Sequence, residues 1–256
     1  METYALITGA SKGIGRSMAV LLAKKKYNLL LVARSEAELQ NLKKDLELSG
    51  VKVEYLVTDL STNDSPEQIL KWCFGYPVSI LINNAGYGLW GNFKDLSLDM
   101  QLNMMQLNVN NLVSLTHKLI PLLQKQPQSY ILNVASTAAY QSVPTLGLYA
   151  ASKAFVLSFT RALRFELKDE RVSVSCLSPG PVATNFSSRA GMPVLGASAE
   201  KLNMTPDEVA KIALKGMFDK KAEIIPGAMN IISSFATRIL PKALIEKVAA
   251  GIYKNL

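Results

Sequence analysis

With 256 residues, 49% of them hydrophobic and 19% charged, the chain can bury the core of one large domain, which excludes a disordered or disulfide-stapled class. Its formal charge of +8 comes from scattered Lys and Arg; the densest run, Lys24-Lys25-Lys26, falls at an expected helix end, and no basic stripe alternates with aromatics, so nucleic acid is not an expected partner. Cys73 and Cys176 lie in separate apolar segments, the sole histidine, His117, lies in a helical run among polar neighbours, and no leader or uncharged apolar run of ~18 residues is seen, so no metal centre is expected and the protein reads as soluble and cytoplasmic.

A β-type run over residues 3–8 passes directly into Thr8-Gly9-Ala10-Ser11-Lys12-Gly13-Ile14-Gly15, and apolar residues at helical spacing follow (Met18, Leu21, Leu22). Strand, glycine-rich turn and helix in that order leave backbone amides and the positive helix end facing outward, which makes a phosphate cradle. The spacing is GxxxGxG rather than GxGxxG. The next strand, residues 28–33, ends in Arg34 where an NAD-binding unit carries Asp or Glu for the ribose hydroxyls. Arg34, with Lys12 beside it, suits a 2′-phosphate instead, so NADP(H) is expected ahead of NAD(H).

A helix over 36–49, stopped by Gly50, leads to a third strand, 52–57, and then Asp59, which reads either as a cap for the next turn or as an adenine contact. A helix near 66–74 and a fourth strand, 78–82, precede Asn83-Asn84-Ala85-Gly86. Alternation of strand and helix predicts an α/β domain with a doubly wound parallel sheet of about seven strands, helices on both faces. A helical period runs from Asp99 to Leu123 with Asn108 inside it, a residue that is exposed, bends the helix or is placed for a purpose. Strands at 130–134, 172–177 and 222–225 end or lie near Ser136, Pro179-Gly180 and Ile225, with a helix over 206–218 before the last. Polar groups thus collect at the carboxyl ends of strands, where open α/β sheets bind ligands.

Tyr149 and Lys153 lie four apart in a run without Gly or Pro from Leu148 to Lys168, which predicts a helix carrying both on one face. A free phenol ionises near pH ~10, and a neighbouring ammonium lowers that value toward a range useful for proton exchange at a carbonyl.

Together TGxxxGIG at Thr8–Gly15, Asp59, NNAG at Asn83–Gly86, Asn108, Ser136, YxxxK at Tyr149–Lys153 and PGxxxT at Pro179–Thr184 closely resemble the short-chain dehydrogenase/reductase family, in its compact branch with a single Rossmann-type domain. The resemblance covers the chain to about residue 225. It implies a tetrad in which Tyr149 exchanges the proton, Ser136 binds the substrate oxygen, Lys153 holds the nicotinamide ribose and lowers the tyrosine pKa, and Asn108 holds a water joining Lys153 to solvent. It also implies that Ser11, Gly13 and Ile14 form the pyrophosphate site and Arg34 clamps the phosphate, with Gly9 and Lys12 among the cofactor-binding residues. Asp59 would touch adenine, Asn84 and Gly86 would wall the cofactor, Val182 and Thr184 would hold the nicotinamide amide, and Pro179 would also bind cofactor. Tyr149 and Lys153 would touch cofactor as well, and Ser136 and Tyr149 would touch substrate.

Residues 185–204 correspond to a substrate loop; with Trp90, Tyr140, Val143 and Phe186 they suggest an apolar pocket for a ketone, aldehyde, secondary alcohol or 3-oxoacyl thioester. Residues 230–256 read as two amphipathic helices broken at Pro241 that pack on their own domain, so membrane contact is not expected. The resemblance further implies a homodimer or homotetramer. A non-catalytic NADP-binding sensor or scaffold is the alternative on the same fold; an extended epimerase is disfavoured, since little chain follows Thr184.

Overall fold

The computed structural model of the protein describes residues 3–184, 186–192 and 203–254. Seven strands, β1 (Tyr4–Thr8), β2 (Asn28–Ala33), β3 (Val53–Val57), β4 (Val78–Asn83), β5 (Ser129–Val134), β6 (Val172–Leu177) and β7 (Glu223–Ile224), form one sheet in the order β3-β2-β1-β4-β5-β6-β7. Every neighbouring pair is parallel. The protein is thus a single α/β domain with a Rossmann-type doubly wound sheet. Its strand order reverses between β1 and β4, the place where such sheets open a crevice.

Both faces of the sheet are covered, which is why its central strands read as continuous apolar runs. Alternate side chains enter separate cores. Ala5, Ile7, Leu29 and Leu31 meet Met18 and Leu22 of α1 (Gly13–Lys24), Leu39 and Leu42 of α2 (Glu36–Glu47) and Val209, Ala213 and Met217 of a later helix, Pro206–Phe218. On the other face Tyr4, Leu6, Leu30 and Val32 meet Ile69 of α3 (Ser65–Cys73), then Leu115, Leu119 and Leu163. At about 25 cal/mol per Å² of apolar surface removed from water, these two layers are the main stabilising term.

The helical period from 99 to 123 is not one helix. α4 (Leu98–Met105) joins α5 (Asn111–Leu123) through a single wide π-type turn, Gln106–Asn110, with Asn108 in the middle of it. The bend option for Asn108 and the placed option are both realised, because its amide is spent outside its own helix. Asn108 Nδ2 donates to the Tyr87 carbonyl at 2.9 Å and Oδ1 accepts the Tyr87 amide at 3.2 Å. Such single wide turns recur at functional sites.

After a 3₁₀ turn (Thr137–Tyr140), α6 runs from Gly147 to Glu166 and carries Tyr149 and Lys153. A buried polar chain fixes α5 and α6 to the sheet: Asn83 Nδ2 donates to Thr116 Oγ1 (2.9 Å) and Asn133 Oδ1 (2.8 Å), and Asn133 Nδ2 donates to Thr160 Oγ1 (3.0 Å). Each of these residues is nearly inaccessible, so leaving one partner unmet would cost about 1–3 kcal/mol. The chain then continues through α7 (Phe186–Arg189), α8 (Pro206–Phe218, closed by a Thr205/Glu208 capping box), α9 (Ala228–Ile239) and α10 (Lys242–Lys254).

The tail breaks at Pro241 as expected, and Ile245 and Ala249 of α10 are buried, but the expectation that the tail's apolar sides pack on the domain needs correction for α9 and for the rest of α10. Met229, Ile231, Ile232, Phe235, Ile239, Leu240, Leu244 and Val248 are all exposed. The polar side of α9 faces the protein instead. No helix among the described residues is long and apolar enough to cross a membrane.

Candidate active site

At the end of β1 the chain turns through Gly9 (φ +65°) and Gly13 (φ +53°), left-handed conformations that glycine adopts without strain. The turn is latched to the end of β4. Asn84 Nδ2 donates to the carbonyls of Thr8 (3.0 Å) and Gly9 (3.1 Å), while Thr8 Oγ1 accepts the amides of Asn84 and Ala85. A Cβ on Gly9 would stand 2.9 Å from Asn84 Nδ2, and one on Gly13 would stand 3.1 Å from Thr184 Cγ2. No side chain caps α1 at Lys12, so its first amides remain available at the positive end of the helix. These features fit a dinucleotide pyrophosphate.

The turn opens into a cleft of about 700 Å³ that runs along the carboxyl ends of the strands and is also lined by Arg34, Asp59, Gly86, Ser136, Tyr149 and Lys153. Its deep end is closely knit. Lys153 is 5% exposed, donates to the Val134 carbonyl at 2.9 Å and lies 5.9 Å from the centre of the Tyr149 ring. Burial without a carboxylate beside it pushes the Lys153 pKa down to about 8. Asn108 Nδ2 also reaches Ser152 Oγ at 3.2 Å, and Ser152 donates to the Tyr149 carbonyl at 2.7 Å. Gly86 lies between the two: a Cβ there would be 3.0 Å from Asn108 Oδ1 and 3.3 Å from Lys153 Nζ. Tyr149 packs against Phe186 of α7, ring centres 5.4 Å apart.

Ser136 caps the 3₁₀ turn, its Oγ accepting the Ala138 amide at 3.1 Å, which leaves the hydroxyl proton free to be donated into the cleft. The Thr137 amide donates to the Pro179 carbonyl, tying this turn to the end of β6. Val182 bridges to Met204, and Ala183 donates to the Met204 carbonyl, which brings Val182 and Thr184 to the cleft wall.

The outer end is ionic and exposed. Arg34 meets Asp59 at 3.8 Å and Lys12 meets Glu38 at 2.7 Å. Burial alone would raise the Asp59 pKa, but hydrogen bonds from the Ser61 amide and hydroxyl, with Arg34 and Arg189 nearby, hold it below the ordinary carboxylate value. Asp59 therefore acts as the local turn acceptor and still lines the cleft. Both expected phosphate cations already hold carboxylate partners that a bound anion would have to replace.

The structure brings the whole expected residue set to one cleft, Gly9, Ser11, Lys12, Gly13, Ile14, Asn84, Pro179, Val182 and Thr184 included; Asn108 stands just behind it. It does not do so for all of the apolar set. Val143 and Phe186 line the cleft, but Tyr140 donates its hydroxyl to Glu223 of β7, and Trp90 packs behind the cleft against the cluster that holds Val143 and Tyr149. Of the substrate loop 185–204, Asn185 and residues 193–202 lie outside the described residues.

Three residues escaped the sequence reading. Tyr87 directly follows NNAG and supplies both backbone groups that Asn108 grips. Glu38 has one carboxylate oxygen buried without a hydrogen-bond partner at the cleft. Arg189 folds back from α7 to within 4.9 Å of the Tyr87 ring, close to Asp59 and Arg34. A helical pattern signals none of these contacts, which join distant segments.

Cys73 and Cys176 are buried thiols whose pKa values burial pushes up to about 12 and about 11, so neither is a poised nucleophile.

A family model described as short chain dehydrogenase matches residues 3–195. The chain is 30% identical to 17-beta-hydroxysteroid dehydrogenase type 3 of Mus musculus over 84% of its length and 69% of the relative's. It is 31% identical to the ketoacyl reductase HetN of Nostoc sp. over 97% of its length and 87% of the relative's. Among solved structures it resembles a short-chain dehydrogenase from Sphingobium yanoikuyae in complex with NADPH, with a TM-score of 0.82, 28% identity and coverage of 94% of this chain and 97% of that one. Sheet order, cleft and family match agree: the chain belongs to the short-chain dehydrogenase/reductase family, oxidoreductases that use a pyridine nucleotide and act on CH–OH groups.

Proposed function

We propose that the protein is an NADP(H)-dependent oxidoreductase that interconverts a lipophilic carbonyl compound and its secondary alcohol, with Tyr149 as general acid and base. The observation that carries this reading is the buried, carboxylate-free setting of Lys153 next to Tyr149, within the cleft that the glycine turn opens. When bound, the nicotinamide supplies or accepts the hydride. Tyr149 gives its hydroxyl proton to the carbonyl oxygen in reduction and takes it back in oxidation, and Ser136 donates a hydrogen bond to the same oxygen. Lys153 binds the nicotinamide ribose and, while protonated, favours the phenolate.

Asn108 holds the Tyr87 backbone and, through Ser152, the first turn of α6; the role proposed for it is to hold a water that joins Lys153 to solvent. Arg34 and Lys12 take the 2′-phosphate by exchanging Asp59 and Glu38 for it. Gly9, Ser11, Gly13 and Ile14 hold the pyrophosphate, Asp59 borders the adenine, and Pro179, Val182 and Thr184 hold the carboxamide. The NADPH complex of the Sphingobium relative supports this preference.

Val143, Leu146, Phe186 and Met192 line the substrate end, which favours an apolar ketone, aldehyde or 3-oxoacyl thioester, in keeping with the steroid and ketoacyl relatives. Residues 185–204 act as the substrate loop. The protein works in the cytoplasm as a homodimer or homotetramer; Phe155, exposed on α6 and stacked on the half-buried Phe159, supports pairing through α5 and α6.

NADPH oxidation at 340 nm against aromatic diketones, aliphatic aldehydes, steroids and 3-oxoacyl thioesters, with NADH in parallel, tests the reading. Turnover that favours NADPH is expected on at least one class. NADPH binding with no turnover on any of them would overturn the catalytic role in favour of a sensor.

A further inference from the structure

The tail is built with its polar side inward. On α9, Asn230, Ser233, Ser234 and Thr237 recur at three- and four-residue spacing, which places them on one side of the helix. That side borders the domain: Ser234 is buried, Asn230 and Thr237 are half-buried, and Ser233 is exposed at the rim. Ser234 is 2% exposed, Asn230 abuts Gly180 and donates to the Pro226 carbonyl, and Ser233, Ser234 and Thr237 line the mouth of the cleft. The opposite side carries Ile231, Ile232, Phe235 and Ile239, all between 52% and 68% exposed, with Met229 at 72%. Leu240, Leu244 and Val248 continue the exposed apolar surface onto α10, whose Ile245 and Ala249 turn inward. A surface helix in water normally shows the reverse order, and a contiguous apolar patch of this kind marks a docking site.

Charge selects the occupant. Residues 228–256 contain Arg238, Lys242, Lys247 and Lys254 against Glu246 alone. Pairing this tail with the tail of a second copy would bring like charges together, whereas an anionic bilayer offers both an apolar interior and the opposite sign. We infer that α9 and α10 lie in the plane of an anionic lipid surface, their apolar side among the acyl chains and the serine-lined mouth of the cleft held at the headgroups. This docking is independent of the reductase reading, and its readout is binding rather than turnover.

Flotation of the protein with vesicles of phosphatidylcholine, alone and with phosphatidylserine, tests it. Co-flotation with the anionic vesicles is expected, weakened at least about tenfold in neutral lipid or by Lys242→Glu with Lys247→Glu. Replacing Ile232, Phe235 and Ile239 together by Ser should abolish flotation while leaving the thermal midpoint nearly unchanged, since all three are exposed. Equal flotation of the triple variant, or no flotation of the unaltered protein with anionic vesicles, overturns the inference. So does self-association, seen by light scattering, that the triple variant dissolves while vesicles are ignored; the occupant would then be a second copy.

Discussion

The two ends of the cleft are held by different physics. At the deep end Lys153, Asn108 and Ser152 are buried and fixed by hydrogen bonds to backbone, with no carboxylate among their hydrogen-bond partners. At the outer end Lys12, Arg34, Asp59 and Glu38 form ion pairs across partly exposed side chains, and Arg189 reaches in from α7. Exposed pairs contribute only about 0–1 kcal/mol each and are easily exchanged for another anion. The deep end is therefore set before any ligand arrives, while the outer end is a set of charges waiting to be re-partnered. Substitutions at the first should be costly for chemistry, and those at the second graded and selective between cofactors.

The sharpest break is Tyr149→Phe, which removes the proton and leaves the ring on Phe186. Turnover should fall by about 10²–10⁴-fold, the usual range for losing a general acid, while NADPH affinity stays within a few-fold. Single-turnover kinetics beside a fluorescence titration would show it, and retained turnover would remove Tyr149 from the acid/base role.

Lys153→Met probes what the deep end costs. In the unfolded chain the lysine holds its proton up to about 10.5, whereas in the fold it loses it near 8. Between those values the unfolded state binds more protons, so stability rises with pH across that window, and below it the buried ammonium opposes folding by up to about 3 kcal/mol. The variant, melted without cofactor, should thus be more stable than the unaltered protein at pH 7, with the gap closing as pH approaches 10.5, and with NADPH it should be inactive. A lower melting point at pH 7 would mean that the Val134 contact outweighs the desolvation of the charge.

Gly86→Ala tests the same packing by a single methyl. The added Cβ has Asn108 Oδ1 at 3.0 Å and Lys153 Nζ at 3.3 Å, so one of them must yield by a few tenths of an ångström. We expect kcat to fall about tenfold, because small misplacements at the reacting centre are amplified, with little change in the outer end's preference between cofactors. Activity equal to the unaltered protein would show that the deep end is looser than its contacts imply.

At the outer end, Arg34→Asp should raise the NADPH dissociation constant about 10- to 100-fold and leave that for NADH within a few-fold, since a charge-assisted contact to phosphate becomes a repulsion. Equal affinity of the unaltered protein for the two cofactors would already count against the assignment.

This difference also explains what could be read in the sequence. Gly9, Gly13, Tyr149 with Lys153, and the strand ends carry their chemistry within a few neighbouring residues, so order and spacing were enough to foresee the cleft and the seven-stranded sheet. Contacts between distant segments were not foreseen. Lys12 with Glu38, Arg189 with Tyr87 and Tyr140 with Glu223 depend on how the chain returns on itself, which periodicity does not encode. Two further cases are subtler. The helical period through Asn108 survives a one-residue wide turn almost unchanged, and the amphipathic tail declares two faces without saying which one the domain takes.

The smallest effect is expected at Arg189, and it decides whether the outer end reaches beyond its two ion pairs. Burial and the nearby Arg34 push the Arg189 pKa down, so the guanidinium is held against a like charge with one carboxylate, Asp59, to share. A phosphate on the ribose would relieve both arginines at once. Arg189→Gln should then raise the NADPH dissociation constant about threefold at low salt, with less effect at high salt, where exposed charges are screened, and none on NADH. If both cofactors weaken equally, Arg189 acts through the Tyr87 ring and the loop it covers; if neither does, the phosphate is held by Arg34 and Lys12 alone.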